Sequence, residues 1–321
     1  MNHHLADHRH HHELQTDSTL HVVGVLSNPV RWHTRYRLAR QWLSEMEKHP
    51  NVRAYMVEAA FGDRHHEVTM MDDHCHLQLR TNTEIWIKEN MINLGVRYLL
   101  PRDWKYMAWV DADITFRNPN WALETIHQLQ HWPVVQPWQQ CSDLGPHGNV
   151  MQLHQSFGWM HQQEKPKKKH PDDYYGFAHP GYAWACTRKF WEQANGLMDF
   201  CILGSADRHM AWAMIGDSEW SVNSELRPGY HRRVKEWQDR AVRITHKQVG
   251  FTHGRIEHNF HGSKSDRNYQ SRWQILIDHK YDPDTDLMYD EQGLIYLAGK
   301  PDFEQAIRQY NRARNEDSGD E

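Results

Sequence analysis

The sequence predicts an α/β fold, a single domain in which a mostly parallel central sheet is flanked by helices. Short apolar runs rich in β-branched residues alternate with segments of helical periodicity from Leu20 onward. One of these apolar runs passes directly into the carboxylates Asp111 and Asp113. Strands that alternate with helices in this way are typical of parallel sheets whose two faces are both covered.

The strands are predicted from apolar runs that end at turn residues. The run 20–26 ends at Ser27-Asn28-Pro29, and the run 52–60 ends at Gly62-Asp63. Further strands are predicted at 106–110, 134–136 and 250–258, and ordered structure is expected to return at 181–186.

Helices are predicted between the strands from periodicity and from capping signals. Thr81 and Glu84 form a capping box that is expected to open a helix, and Gly95 is expected to end it. Ser205 is expected to cap a helix that holds Asp207 in its first turn. Other helices are predicted at 36–46, 120–130, 269–279 and 303–312, and one more is expected to start near Thr187.

The chain is expected to divide into three parts. Residues 1–18 are rich in histidine and poor in apolar residues, which predicts a flexible tail. Residues 19–300 form the main domain, with a long mobile excursion over 139–176 where periodicity is weak. Residues 301–321 form a last helix and an acidic tail, which is expected to be solvated from Asn315 onward.

Composition limits the classes of protein to consider. Among the 321 residues, 37 Lys and Arg face 42 Asp and Glu, and the net charge of −5 does not indicate a protein that coats nucleic acid or a membrane surface. The mean hydropathy of −0.90 reflects 27 histidines rather than disorder, because 39% of the residues are hydrophobic and 15 are tryptophan. The composition therefore predicts a folded core.

Cysteine usage and the apolar runs predict the compartment. Four scattered cysteines without a CxxC pair suit free thiols in a reducing environment. No apolar run approaches the roughly 20 residues of a membrane span, and the N-terminus lacks the apolar region of a signal peptide. A cytoplasmic enzyme is expected.

The strongest candidate site is Asp111-Ala112-Asp113, at the end of the predicted strand 106–110. Ligands of open α/β sheets bind outside the carboxyl ends of strands. Two carboxylates at this spacing can reach one ion where the chain turns, and hard oxygen ligands suit Mg²⁺ or Mn²⁺ that bridges phosphates. The alternative is a solvated turn.

Two further segments carry candidate residues. Asp207 lies where the positive end of a helix favours an ionised carboxylate, although an ordinary N-terminal acid would look the same. His253, His258 and His261 precede Lys264 within one short segment. Imidazole nitrogen suits Mn²⁺, and the lysine could face a diphosphate. The alternative for the histidines is polar surface.

Three sequence elements occur in an order that resembles one enzyme family. Residues 86–95, Trp-Ile-Lys-Glu-Asn-Met-Ile-Asn-Leu-Gly, are similar to its Phe-Asn-Arg-x-Lys-x-x-Asn-x-Gly element. Residues 111–113 are similar to its acidic element, and the glycine-rich segment 180–207 is similar to its Gly-Gly…Asn-Gly-Phe…Gly-Trp-Gly-Gly-Glu-Asp segment. The chain thus resembles GT-A glycosyltransferases, closest to the β-1,4-galactosyltransferase-like, or family 2-like, group.

The resemblance implies a GT-A (Rossmann-like) domain and a set of site residues. The implied roles are metal ligation by Asp111, Asp113 and either His258 or His261, nucleotide binding by Ser27, Asn28, Arg31, Trp86, Lys88, Asp111 and Lys264, and catalysis by Asp207. Mn²⁺ or Mg²⁺ and a nucleoside-diphosphate sugar, with UDP favoured, are the implied cofactor and donor.

The chain also departs from that family. Leu203 and Ala206 replace its Trp and Glu near the catalytic carboxylate, so the resemblance does not imply a GlcNAc-terminated acceptor. It does not imply galactose as the donor sugar either. The acceptor stays open among a glycan, a lipid-linked group and modified nucleic acid. The Lys165–Lys169 run could contact an anionic acceptor, and the alternative is a solvated loop. No obligate protein partner is indicated.

The sequence leaves other functions open. An inverting transfer is the working hypothesis, but the spacing of His258 and Lys264 is similar to that of retaining relatives. A metal-dependent nucleotide or phosphoester hydrolase would use the same aspartates and histidines. A non-catalytic nucleotide- or carbohydrate-binding protein is the third interpretation.

Overall fold

The computed structural model describes residues 18–163, 178–263 and 271–318. Within these ranges the chain forms thirteen strands, β1 (Leu20–Ser27), β2 (Val52–Phe61), β3 (His76–Thr81), β4 (Tyr106–Val110), β5 (Ile114–Phe116), β6 (Val134–Gln136), β7 (Gln140–Leu144), β8 (Val150–Gln155), β9 (Ala183–Thr187), β10 (Gly250–Phe251), β11 (Arg255–His258), β12 (Leu287–Tyr289) and β13 (Ile295–Leu297). Every predicted strand is confirmed to within a few residues, the last of them as the pair β10 and β11.

The same ranges contain ten α-helices. They are α1 (His33–Met46), α2 (Lys88–Leu99), α3 (Trp121–Leu129), α4 (Phe157–Gln162), α5 (Arg188–Ala194), α6 (Ala206–Met214), α7 (Pro228–Thr245), α8 (Ser271–Asp278), α9 (Pro283–Asp286) and α10 (Pro301–Ala313). The longest of them, α7, was not predicted from the sequence.

The central sheet has seven strands in the order β10-β6-β9-β4-β1-β2-β3. Neighbours pair in parallel except at β9, which is antiparallel to both β4 and β6. Val22 and Val23, adjacent in β1, are both fully buried because they face opposite sides of the sheet and belong to separate cores. The predicted α/β fold with a mostly parallel sheet is confirmed.

Aromatic side chains occupy both cores. Trp42, Trp121 and Trp138 fill one face of the sheet, and Trp184 and Tyr230 lie in the core of the other face. Burying a large apolar side chain contributes about 1.5–3 kcal/mol or more to folding. The high tryptophan content is therefore in large part a packing feature.

A smaller sheet of four strands, in the order β5-β11-β7-β8, continues from the end of β4. Its strand β11 lies between β5 and β7, and His258 at the end of β11 is opposite Ile114 on one side and Asp143 on the other. Because Ile114 directly follows Asp113, this pairing brings the C-terminal third of the chain to the acidic turn after β4.

The predicted capping box at Thr81 and Glu84 is wrong. Thr81 ends β3, which pairs with β2, and the Glu84 carboxylate binds Arg308 and Arg312 of α10 instead of a helix N-terminus. Helix α2 begins at Lys88 and continues past Gly95 to Leu99. Gly95 lies inside α2 at a point where the helix packs closely on Val23 and Val57 of the sheet.

Two predicted irregular segments contain ordered structure. The mobile excursion expected over 139–176 holds β7, β8 and α4 between 140 and 162, because β7 finds its partners in β11 and β8. The prediction that the acidic tail is solvated from Asn315 onward is also wrong at Glu316. This residue is buried and forms ion pairs with Arg35 and Arg314. Both errors arise because the partners are distant in sequence.

All four cysteines are free thiols. Burial raises the pKa of the Cys186 and Cys201 thiols well above the usual value, so these two are poor nucleophiles. Among the described helices, none has the length and apolar character needed to cross a membrane.

Gly95→Ala tests the packing of α2 on the sheet. A Cβ at Gly95 would lie 2.8 Å from Val57 Cγ2 and 3.1 Å from Val23 Cγ1. Overpacking costs about 1–3 kcal/mol, which outweighs the gain of up to about 1 kcal/mol that alanine brings to a helix. We expect a lower free energy of unfolding in urea, with exposed Ser44→Ala in α1 as the control. A gain in stability at Gly95 would contradict the close packing.

Candidate metal centre

A cavity of about 560 Å³ opens at the carboxyl ends of β1 and β4. Parallel pairing of these strands places their ends side by side, as expected for a ligand site of an open α/β sheet. The wall of the cavity includes eight of the residues predicted for the site, namely Ser27, Trp86, Lys88, Asp111, Asp113, Asp207, His258 and His261. Residues from five parts of the chain therefore meet at one cavity.

Asp113, His258 and His261 form a compact cluster at this wall. Asp113 Oδ2 lies 3.0 Å from His261 Nε2 and 3.6 Å from His258 Nε2, and the two Nε2 atoms are 3.1 Å apart. The backbone and side-chain N–H groups of Asn259 both donate to the Asp113 carbonyl, at 2.9 Å each. These bonds hold the acidic turn against the end of β11. The sequence left open which histidine joins Asp113, and the structure brings both.

A carboxylate lies behind each imidazole ring. Asp143 Oδ1 is 2.7 Å from His258 Nδ1, and Glu316 Oε2 is 3.4 Å from His261 Nδ1. Such partners favour the tautomer with its proton on Nδ1. In that tautomer the two Nε2 atoms and Asp113 Oδ2 would all be able to bind a cation between them.

A divalent metal ion fits this set of ligands. Asp113 Oδ1 is buried and has no hydrogen-bond partner among the described residues, so the carboxylate has a second oxygen to offer. The three side chains can each present one ligand atom within 4.8 Å of the others. Two nitrogen ligands beside one carboxylate favour Mn²⁺ over Mg²⁺, which prefers oxygen.

The charges around the cluster favour an ionised ligand. Burial opposes ionisation of Asp113, but His258 and His261 hold the pKa of this carboxyl well below its usual value. Behind His258, the buried Asp143 also accepts hydrogen bonds from the Tyr182 hydroxyl at 2.9 Å and from His154 Nε2 at 2.6 Å. These two hydrogen bonds hold the Asp143 carboxylate in place behind the His258 ring.

Asp111 takes a different place from Asp113. Its carboxylate forms an ion pair with Lys88 at the start of α2. Burial raises the pKa of Asp111, with Lys88 opposing the shift, and burial raises the pKa of the neighbouring Glu89 to about 7. Burial opposes the ammonium charge of Lys88, but Asp111 and Glu89 raise its pKa, so this lysine stays charged.

Asp207 lies in the first turn of α6, as predicted. Its Oδ1 accepts the backbone N–H of Arg208 at 2.8 Å, and its Oδ2 would lie 2.7 Å from a Cβ at Gly181. The glycine therefore gives the carboxylate room at the cavity wall. Ser205 is at the N-cap, but its side chain does not cap α6, because its backbone is left-handed with φ 79°.

The loop after β1 contributes less than predicted. Ser27 lines the cavity, whereas Asn28 uses its side chain to brace the turn through two hydrogen bonds with the Trp32 backbone, at 2.8 and 2.9 Å. Arg31 is in the same turn with φ 67° and is not part of the wall. Lys264 lies outside the described residues.

The charged residues around the cluster that sequence reasoning missed include Arg35, Asp143, Arg314 and Glu316. Arg35 and Arg314 line the cavity, and the Arg314 guanidinium lies 5.7 Å from the centre of the Trp86 ring. No local motif marks any of these residues. Their common signal is spatial, since each contacts a predicted site residue or another member of this group.

Comparison with known proteins gives distant structural similarities. The catalytic domain of Drosophila β-1,4-galactosyltransferase 7 in complex with xylobiose is 14% identical over 90% of this chain and 98% of that chain, with a TM-score of 0.38. A mutant of the same enzyme with manganese, UDP-Gal and xylobiose is 15% identical over the same shares, with a TM-score of 0.40. A mannosyltransferase from Pyrobaculum calidifontis with GDP-Man and Mn²⁺ is 14% identical over 80% of this chain and 59% of that chain, with a TM-score of 0.41.

No protein-family model and no curated protein matches the chain. These structures include a β-1,4-galactosyltransferase, and the sequence motifs of the chain resemble those of the same group. At these identities and TM-scores, the case for a function rests on the side chains of the site.

Removing a ligand of the cluster should weaken metal binding. We expect Asp113→Asn and His261→Ala to lower Mn²⁺ affinity by about tenfold or more, because each deletes one of three ligands. His253→Ala, which alters an exposed histidine of the same segment, is the matched control. Loss of the six-line signal of free Mn²⁺ in electron paramagnetic resonance measures binding, on protein that lacks the His-rich residues 1–17. Equal affinities in all variants would contradict the cluster as the metal centre.

Proposed function

We propose that the protein is a metal-dependent glycosyltransferase that transfers a sugar from a nucleoside-diphosphate sugar to an acceptor hydroxyl with inversion. The observation that supports this best is the convergence on one cavity of a three-ligand metal centre, the Lys88–Asp111 pair and Asp207. A metal centre and a fixed cation suit a diphosphate, and a carboxylate a short distance along the same wall suits proton transfer.

The metal centre and Lys88 would bind the diphosphate. Asp113, His258 and His261 would hold Mn²⁺, and the ion when bound neutralises charge that develops on the leaving phosphate. Lys88 stays charged at neutral pH and is tethered by Asp111, so it presents a preorganised positive charge without needing to move. Asp111 would accept a hydrogen bond from a ribose hydroxyl, and direct metal ligation by Asp111 stays a prediction.

The aromatic part of the cavity suits a nucleobase. Trp32 and Trp86 line it beside Ser27 and Val30. Trp86 is fixed by its backbone N–H, which donates to the Ile202 carbonyl at 2.8 Å, and by its indole N–H, which donates to Glu89 at 3.0 Å. A rigid indole face supplies stacking area at little entropic cost. UDP is the favoured nucleotide because of the sequence resemblance alone.

Asp207 is the proposed catalytic base. It would take the proton of the acceptor hydroxyl as that oxygen bonds to the anomeric carbon, while the bond from that carbon to the phosphate oxygen breaks and the nucleoside diphosphate leaves. Displacement from the side opposite the leaving group inverts the anomeric carbon. The acceptor stays open among a glycan, a lipid-linked group and modified nucleic acid, and the cytoplasmic location stays a prediction.

A thermal-shift panel tests the donor site. Nucleotides and nucleotide sugars are added with and without Mn²⁺ to protein lacking residues 1–17. We expect one nucleoside diphosphate to raise the melting temperature only when Mn²⁺ is present, and we expect Asp113→Ala to abolish the shift. No metal-dependent shift with any nucleotide would contradict the proposal. Diphosphate cleavage that needs no acceptor would instead indicate a hydrolase.

Asp207→Asn tests the base. The amide keeps the shape of the side chain but cannot accept the proton, so we expect transfer to fall by about 10²–10⁴-fold while the metal-dependent thermal shift persists. Glu219→Gln, in the exposed turn after α6, is the control. Transfer at the parental rate would show that another group takes the proton.

A further inference from the structure

Glu316 is the most deeply buried charged residue near the metal centre, although it lies only five residues before the last residue of the sequence. It is 1% exposed. Its carboxylate forms ion pairs with Arg35 of α1 and with Arg314, the latter at 2.8 Å. Burial opposes ionisation, but the two guanidiniums, Arg35 first, hold the pKa of Glu316 well below its usual value.

The same carboxylate reaches the metal centre. Glu316 Oε2 lies 3.4 Å from His261 Nδ1, on the side of the ring opposite the Nε2 atom that faces Asp113. A metal-bound imidazole needs its other nitrogen to carry the proton, and a carboxylate behind it fixes the ring and raises its basicity. Asp143 does this for His258 at 2.7 Å. Each histidine thus has a carboxylate on its Nδ1 side, and the contact is closer at His258 than at His261.

The segment that carries Glu316 is docked at two other points. The Asp317 carboxylate accepts hydrogen bonds from the backbone N–H groups of His33 and Thr34, at 2.9 Å each, and so caps α1. The N-cap residue of α1, Trp32, provides no side-chain cap. Gly262 next to His261 has φ 87°, and a Cβ there would lie 2.7 Å from the Asn315 carbonyl. The C-terminal segment therefore packs directly on the loop of the metal ligands.

We propose that Glu316 is a positioning residue of the metal centre, which holds the His261 ring in the orientation and tautomer that ligate the ion. This inference rests on the metal centre of the proposed function and adds to it a residue from the C-terminal end of the chain. A purely structural role is the competing explanation, because Glu316 also anchors the segment through Arg35 and Arg314.

Mn²⁺ affinity of the full chain separates the two explanations. We expect Glu316→Gln to weaken binding by about 10–100-fold, the usual effect of losing such a partner. Glu316→Asp keeps a negative charge for the guanidiniums but moves it away from His261, so it should weaken Mn²⁺ binding by at least about threefold. This variant keeps the test valid if Glu316→Gln folds poorly. Asp317→Ala removes the cap of α1 and loosens the same segment, so it should lower the melting temperature and leave Mn²⁺ affinity within about twofold of the parent.

The outcomes are distinct. His261→Ala measures the binding that remains elsewhere, including at the N-terminal histidines. Parental affinity in both Glu316 variants would overturn the inference, as would an Asp317→Ala variant that loses as much affinity as Glu316→Gln. A parent that binds no more Mn²⁺ than His261→Ala would overturn the metal centre and this inference together. If the parent binds Mn²⁺ at the site and the Glu316 variants do not, but no nucleotide shifts the melting temperature, the inference stands and the glycosyltransferase proposal fails.

Discussion

The Nε2 atoms of His258 and His261 and a carboxylate oxygen of Asp113 face one another just after β4. Several distant elements of the structure pack so as to hold these three side chains together. The pairing of β11 with β5 and β7 places His258 beside Asp113. Asp143 and Glu316 lie behind the two rings, 2.7 and 3.4 Å from the Nδ1 atoms of His258 and His261. A divalent cation at this point would be bound by two imidazole nitrogens and one carboxylate oxygen.

The surrounding charges extend this constraint to the cavity. Lys88 and Asp111 hold each other at the N-terminal end of α2, next to Glu89 and within the field of Asp207. A positive charge beside the metal centre suits the diphosphate of a sugar nucleotide, whereas the carboxylate of Asp207 stands where a hydroxyl could approach. Lys88, Asp111 and Asp207 all line the cavity that opens at the carboxyl ends of β1 and β4.

The sequence predicted the features that depend on local pattern. The strands leading to Ser27 and Asp111 are marked by apolar runs, and Asp207 is marked by a helix start. The sequence could not predict what depends on distant pairing. Glu84 matched a capping box but binds α10 instead, and Asp143 lay in a segment of weak periodicity whose strand is stabilised by β11. Glu316 is invisible locally, because only the folded chain brings Arg35 and His261 to it.

The most direct test of the metal centre is anomalous diffraction from crystals of the protein grown with Mn²⁺ and a nucleoside diphosphate. The arrangement predicts one strong peak within roughly 2.0–2.6 Å of Asp113, His258 Nε2 and His261 Nε2, the range of divalent metal–ligand bonds. The remaining coordination positions should be filled by phosphate oxygens. A peak at another site, or none at this cluster when the nucleotide is bound, would contradict the central claim.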